Sequence, residues 1–409
     1  MITTKEELEN FVTNNWDQIN AFIDKMQSEL TMPLYTSVDV RESSTRFAPV
    51  DNNLYPAGFN NICSLDLNVC SDRIKAAILQ KNSHCQKVAI IPESHTKNKF
   101  YLDHLHTLKS IIVKHFPIVD IISPDTELFM GEPLNAQGEI ELTSHSGHKL
   151  IIKAAKQVDH QLVTATQVPY DVIVLNHDQS KPLPVDWKAL DQNVFPTPFL
   201  GWTARQKNQH FAFYEKVTNE FCDHFKIEPT LIRARFLGIE GIDFETKEGL
   251  EKLGDAVETL KSQITEPDPT IFVKASQGTY GMGISVVKSR EDIINMNRKT
   301  RNKMDVGKNN IKFMSLLVQE GIETMVKVES HPAEVTIYLI AGKSSGGFMR
   351  INPLKDSNSN LNSKGMIYKK YCISEIYQGQ DYQCKEAVYC MIARLSTVAT
   401  ALEMTSILK

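Results

Sequence analysis

Short apolar runs alternating with helical stretches predict an α/β fold in two domains. Val88 to Ile91, Ile111 to Val113, Ile118 to Ile122 and Val172 to Leu175 form a first series of β-type runs. A second series starts at residue 270, in the order strand, glycine loop, strand, helix, then strands at 315–319, 334–341 and 346–351 and a last helix. Between them runs 182–201, a connection holding Pro182, Pro184, Pro196 and Pro198. It places a boundary near residue 200 and gives 1–200 and 201–409 as the two domains.

At the N-terminus, Thr4 and Glu7 are spaced as a capping box ahead of Phe11, Trp16, Ile19, Ile23 and Met26 on one helical face. Residues 32–62 are rich in Pro, Asn and Asp and show neither helical nor strand periodicity, so they read as an ordered loop. The stretch from Glu139 through Ser146-Gly147 to Lys153 reads as a peripheral antiparallel hairpin, with His145 and His148 as exposed turn residues. A helical pattern resumes over Trp202 to Phe225. The last helix repeats apolar residues at Val388, Met391, Leu395, Val398 and Leu402, which predicts one buried face.

A chain of 409 residues can bury two or three cores, and its formal charge of −4 provides no basic field for nucleic acid or an anionic membrane. Small-molecule substrates are the expected partners. Seven cysteines without a CxxC pair predict reduced thiols of a cytoplasmic protein rather than a disulfide framework. No basic segment followed by an apolar run opens the chain, so neither secretion nor a membrane span is expected.

The most informative stretch is FVKASQGTYGMGI, residues 272–284. A β-rich run delivers Lys274 into a loop of Ser276, Gln277, Gly278, Thr279, Tyr280, Gly281 and Gly283. Glycines let backbone N–H groups converge on anionic oxygens, and the lysine adds a compact positive charge. The order GxxGxG, with no Gly-Lys-Ser/Thr closure, is neither the P-loop nor the dinucleotide fingerprint. Alone, such a turn also suits a plain hairpin. Downstream, Gln319-Glu320-Gly321-Ile322 ends an apolar strand in a polar bend able to meet a purine edge and ribose. Arg350 and Asn352 alternate along one strand and share a side, suited to a phosphoryl oxygen and a metal-bound water. The Asn358 to Asn362 loop follows. Arg298, Lys299, Arg301 and Lys303 read either as a solvated face or as a cover over phosphates.

Together these features resemble the ATP-grasp fold, with an N-terminal α/β substrate-binding domain. More specifically, the sequence resembles the proteobacterial glutamate-cysteine ligases of the ATP-grasp type. PLYTSVDVRESSTRFAPVDNNLYPAGFNN (33–61), YDVIVLNHD (170–178), NRKTRNKM (297–304), the 272–284 loop and VQEGI (318–322) carry the resemblance. It implies ATP and Mg²⁺, and phosphorylation of the glutamate γ-carboxylate followed by attack of the cysteine amine. The product would be γ-glutamylcysteine, the first intermediate of glutathione biosynthesis. Another amine acceptor, or a nucleotide-binding regulator without catalysis, is the alternative.

On that resemblance, Lys274 and the loop 276–283 would shield the phosphates, and Arg350 would stabilise the moving phosphoryl group. The 33–61 segment would bind glutamate. Arg41 or Arg46 suits its α-carboxylate, and Asp39, Asp51, Asn53, Asn60 and Asn61 suit its ammonium and amide network. Other ATP-grasp enzymes carry a late acidic strand for Mg²⁺, which has no counterpart after the helix ending near Met404. Glu334, Asn352, Asn360 and Asn362 are the candidate ligands, or a carboxylate from 39–51 crosses over.

Overall fold

The computed structural model describes residues 1–94, 98–129, 134–167, 169–201, 204–277, 283–305, 315–373 and 384–407. Helices α1 (Lys5–Asn14) and α2 (Trp16–Ser28) open the chain, and the Thr4–Glu7 capping box is present. Strands β1 (Tyr35–Glu42) and β2 (Phe47–Asn53) follow, then α3 (Ser64–Lys81), β3 (Lys87–Pro92), α4 (Lys99–Val113) and β4 (Ile118–Ser123). A hairpin of β5 (Glu139–Thr143) and β6 (Lys149–Val158) leads to β7 (Gln161–Thr164), β8 (Val172–Asn176) and β9 (Asn193–Phe195). Next come α5 (Lys207–Phe225), β10 (Phe236–Glu240), α6 (Lys247–Lys261), β11 (Ile271–Ala275) and β12 (Ile284–Val287). The described chain ends with α7 (Arg290–Ile294), α8 (Arg298–Asp305), β13 (Ser315–Glu320), β14 (Lys327–Val328), β15 (His331–Ile340), β16 (Lys343–Ile351), β17 (Ile367–Tyr371) and α9 (Cys384–Ile407).

Three sheets organise these elements. The first, ordered β5-β6-β4-β3-β8-β9, is parallel from β6 to β9. Its chain passes from β3 to β4 on one side and returns to β8 on the other. The carboxyl ends of β3 and β8 therefore flank a topological switch point, where open α/β sheets bind ligands. A four-stranded antiparallel sheet, β10-β13-β11-β12, packs on α6 through Leu253, Val257, Val273 and Val318. The central sheet is antiparallel, ordered β17-β16-β15-β1-β2, with β14 also paired to β15.

Period-two alternation gives the central sheet two unlike faces. Val38, Val40, Val335, Ile337 and Leu339 point into a core shared with α9, α1 and α5. Ser37, Asp39, Arg41, Glu334, Thr336, Phe348 and Arg350 alternate with them on the opposite face. Beneath the core face, α9 is buried on all sides rather than on one. It is long and apolar enough to cross a membrane, yet 94% of its apolar window is buried within the protein. Its polar groups are matched internally: Ser396 with Asn52, Thr397 with Thr36, and Glu403 with Arg205.

Several sequence expectations need correction. Residues 32–62 hold a β-hairpin, not a loop; Ser37 to Arg41 do alternate polar with apolar residues, but the run is short and set among Pro, Asn and Asp, and both faces of β1 are buried. Ile111 to Val113 closes helix α4 rather than forming a strand, because Ile111 and Ile112 continue that helix's buried side. The sheets do not divide at residue 200, since β1 and β2 pair into the sheet built from residues 331–371. The hairpin at 139–153 does lie at the sheet edge, with β5 outermost and His145 and His148 exposed, but it is tied to α4. The His145 and Ser146 N–H groups donate to Lys99 O and Asp103 Oδ1 of α4, and the His145 ring stacks on Phe100. Finally, Cys63 and Cys372 form a disulfide across 309 residues, a pairing that spacing could not announce. Cys70, Cys85, Cys222 and Cys390 are buried free thiols.

Candidate functional site

The polar face of the central sheet gathers charge at its middle. Asp39 and Asp51 are register partners across β1 and β2, and Asp39 also faces Thr336 on β15. Arg350 Nη1 donates to Asp39 Oδ2 at 2.7 Å and to Glu334 Oε1 at 2.5 Å. Arg41 Nε reaches the other Glu334 oxygen at 2.8 Å. Burial would raise the Glu334 pKa, but Arg41 and Arg350 outweigh it and hold the group ionised. Burial prevails at Asp39 and raises its pKa; Arg350 opposes this, while Glu334 and Asp51 add to it.

Lys274 reaches this carboxylate group from the four-stranded sheet. Its Nζ donates to Val50 O at 2.9 Å and to Gln319 Oε1 at 2.7 Å. Burial pushes its pKa down to about 8, Asp51 working against that shift. Asp51 pairs with Lys207; burial raises its pKa, yet Lys207 and Lys274 together hold it down at about 2. A narrow cavity of about 60 Å³ is lined by Asp39, Asp51, Lys207, Lys274, Gln319 and Glu334, with Arg41, Glu320, Ile322, Asn360 and Asn362 also on its wall.

A second cavity of about 840 Å³ adjoins it, sharing Asp51, Lys207 and Asn362. It lies between the polar face and the carboxyl edge of the parallel sheet. Asn53, Gly58, Asn60, Asn61, Tyr101, His104, Asp178, Arg205, Tyr338 and Arg350 are among its lining residues. Gly58 has φ +99°, and a Cβ there would sit 3.0 Å from the Tyr338 hydroxyl, so the turn that presents Asn60 and Asn61 requires glycine. Burial lowers the His104 pKa to about 4, and the ring pairs with Asn176 Oδ1 at 2.9 Å.

The two arginines foreseen for a substrate carboxylate do not open onto the large cavity. Arg41 is occupied by Glu334, Ile322 O and Ser359 O. Arg46 pairs with Glu320 and Glu266, at the far end of β13. Among the described residues, Arg205, Lys207 and Arg350 are the arginine and lysine cations on the large cavity's wall. Glu320 also accepts the Arg235 N–H, and Gly321 lies so close to Thr270 that a Cβ would approach its carbonyl oxygen to 2.7 Å. Ser276 bonds Asn208, and Gly283 closes the loop with φ +63°. Gln277 is half-buried beside it. Gly278, Thr279, Tyr280 and Gly281 lie outside the described residues.

Among the foreseen metal ligands, Glu334 has each oxygen engaged by a guanidinium. The Asn352 amide organises its own loop, donating to Leu361 O and Ser363 Oγ and accepting from the Leu354 N–H. Asn360 accepts the Asn362 N–H as an Asx turn. Asp39 is engaged in the same way, by Arg350 and Thr336, whereas Asp51 pairs with Lys207 and is the carboxylate freer to turn to a divalent ion. Two carboxylates directly opposite in a sheet repel one another, and oxygen donors of this kind are what Mg²⁺ takes.

One further cluster, Glu93, His177 and Asp178, sits buried at the switch point. His177 Nδ1 accepts the Gln179 backbone N–H at 3.0 Å, which leaves the proton of the neutral ring on Nε2, facing Glu93 at 3.9 Å. That tautomer has no lone pair for a metal at Nε2. Glu93 instead accepts the Asp178 N–H, fixing Asp178 on the cavity wall.

Lys207, Arg205 and Asp178 escaped the sequence reading. Lys207 opens α5 and Arg205 just precedes it, far in sequence from any glycine loop, and only folding brings them to β2. Asp178 ends the YDVIVLNHD stretch, where an apolar strand followed by His-Asp was the available signal.

The GshA glutamate-cysteine ligase family matches residues 9–404. A solved structure from Methylobacillus flagellatus KT, described as a γ-glutamylcysteine synthetase, superposes with TM-score 0.87 at 30% identity, covering 98% of this chain and 96% of that one. A D-alanyl-alanine synthetase A from Vibrio cholerae aligns over 73% of each chain at 13% identity and TM-score 0.35, too distant to carry an argument. No curated protein sequence matches this chain.

Proposed function

Because the chain belongs to the glutamate-cysteine ligase family, we propose that its two adjoining cavities are the nucleotide and amino-acid halves of one ATP-grasp active site. The enzyme joins glutamate to cysteine at the expense of ATP, giving γ-glutamylcysteine. The convergence of Lys274, Arg350, Asp39 and Asp51 where the cavities meet is the observation that supports this reading.

ATP is larger than the narrow cavity of about 60 Å³, so the four-stranded sheet would part from the central sheet to admit it, with its base beside Gln319 to Ile322 and its phosphates toward Lys274 and Lys207. Asp51 would hold Mg²⁺, which when bound neutralises phosphate charge and favours in-line transfer. Glutamate occupies the large cavity, with Asn53, Asn60 and Asn61 within its wall and Arg205 and Lys207 as cations near its carboxylates. Its γ-carboxylate oxygen attacks the γ-phosphorus, and the bond to the ADP oxygen breaks. Arg350, held by Asp39 and Glu334, stabilises the charge that shifts onto the equatorial oxygens. The deprotonated cysteine amine then attacks the acyl carbon, and phosphate leaves with the original carboxylate oxygen. Enclosure of this step matters because water competes with the amine.

Incubating the protein with ATP, glutamate and cysteine, and assaying ADP and γ-glutamylcysteine together, tests the reading. Product formation that needs both amino acids supports it, and Arg350→Lys should lower kcat about a hundredfold without unfolding the protein. ADP release without dipeptide would contradict it.

A further inference from the structure

Arg350 divides the polar face of the central sheet into two chemically unlike halves. Toward β1 it meets the carboxylates of Glu334 and Asp39. Toward the β17 edge it meets aromatic and sulfur groups. Tyr368 is its register partner on β17, and Phe348, two residues before it on β16, packs edge-on against the Tyr368 ring with centroids 5.1 Å apart. The Tyr368 hydroxyl donates to Met366 Sδ at 3.4 Å. Phe348, Met366 and Tyr368 all line the large cavity. Phe348 is buried and floors this corner, whereas Tyr368, 42% exposed, stands at its margin.

This corner offers little to glutamate. A carboxylate or ammonium placed there would give up hydration for little, because the Tyr368 hydroxyl already donates to Met366 Sδ and Arg350 Nη1 is held by Asp39 and Glu334. A thiol differs, because sulfur is polarizable, only weakly hydrogen-bonding, and favourably placed against ring edges and another sulfur. The position also fits the reaction. Neighbouring strands lie about 4.8 Å apart, so the corner is one strand from Arg350. An amine that attacks an acyl phosphate beside that guanidinium has its own side chain within reach of β17. We propose that Phe348, Met366 and Tyr368 form the subsite for the side chain of the cysteine acceptor and set the preference for a thiol over a hydroxyl. The inference rests on the ligase reading above and adds where its second amino acid is recognised.

The test measures kcat/KM for cysteine, 2-aminobutyrate and serine as acceptors at saturating ATP and glutamate. Tyr368→Ala should raise the KM for cysteine about tenfold, the size of one lost apolar contact in a small pocket. It should lower the preference for cysteine over serine by a similar factor, while the KM values of glutamate and ATP stay unchanged. Tyr368→Phe, which keeps the ring, should preserve that preference. Met366→Gln should shift it in the same direction as Tyr368→Ala, and carries the test if the alanine variant fails to fold. An unchanged cysteine-to-serine preference, or a rise in the KM of glutamate instead, overturns the subsite and leaves the ligase assignment intact. Failure of the wild-type protein to make γ-glutamylcysteine would instead remove the reading on which the subsite rests.

Discussion

Asp39 and Asp51 stand directly opposite one another across β1 and β2, with the register shifting immediately after, between Asp39 and Val40. Opposed carboxylates are unfavourable in an antiparallel pair unless cations compensate. Here Arg350 flanks Asp39 while Lys207 and Lys274 flank Asp51. The pair thus sits at the meeting of both cavities with its charge already balanced by these cations, so a divalent ion would be held there by Asp51 together with the anionic phosphates of the nucleotide. Asp51→Asn should raise the Mg²⁺ concentration for half-maximal activity by about tenfold or more. A magnesium titration that matches wild type would remove Asp51 from the metal site.

Lys274 links the same pair to pH. With its pKa lowered to about 8, the free enzyme loses the lysine charge as pH rises through that value. The kcat/KM profile for ATP should therefore fall on its basic side near pH 8. Asp51 supports the charged form, so Asp51→Asn should move that limb to lower pH, and Lys274→Arg should abolish it. Lys274→Ala should cost on the order of 10² or more in rate. Stability runs the other way: between about 8 and the unfolded value of 10.5 the unfolded chain binds more protons at this site, so this lysine's contribution to stability rises with pH. A pH profile flat through 9 would contradict the buried placement of Lys274.

Arg46 holds Glu320 and Glu266 beside the bend that follows β13, away from the large cavity. Arg46→Ala should thus raise the KM of ATP, by about tenfold, and leave that of glutamate unchanged. Steady-state kinetics with each substrate varied in turn checks the split, and the reverse pattern would return Arg46 to the amino-acid site.

Glu403 on α9 is a buried partner for Arg205, accepting from its Nε at 3.0 Å, while the rest of that guanidinium reaches Asn52 and His210. Arg205 also lines the large cavity, so this network ties α9 to the substrate wall. Glu403→Ala leaves the arginine without its carboxylate and should cost about 3–5 kcal/mol in urea unfolding. A loss below 1 kcal/mol would mean that the neighbouring groups compensate fully.

Much of the fold was legible because local signals agreed with it. The Thr4–Glu7 box, the β3, β4 and β8 runs, and the strands β11 and β12 on either side of the glycine-rich stretch all appear where local pattern placed them. The failures share one cause. Residues 35–53 join a sheet made some 300 positions later, and the short alternation of Ser37 to Arg41 puts charged residues on a face that only this distant pairing buries. The Cys63–Cys372 bond and the Asp51–Lys207 pair are likewise long-range and invisible to spacing. Residue types at the site could be named from sequence, but their partners could not. Arg41 and Glu334 were assigned to different ligands, although each neutralises the other.

The account stands or falls on an acyl phosphate formed beside Arg350. Glutamate labelled with ¹⁸O in its γ-carboxylate, supplied with ATP and cysteine, offers the most direct measurement. Attack of that oxygen on the γ-phosphorus, followed by amine attack at carbon, predicts one labelled oxygen in the phosphate released for each γ-glutamylcysteine formed. Phosphate released without label while dipeptide accumulates would contradict the mechanism.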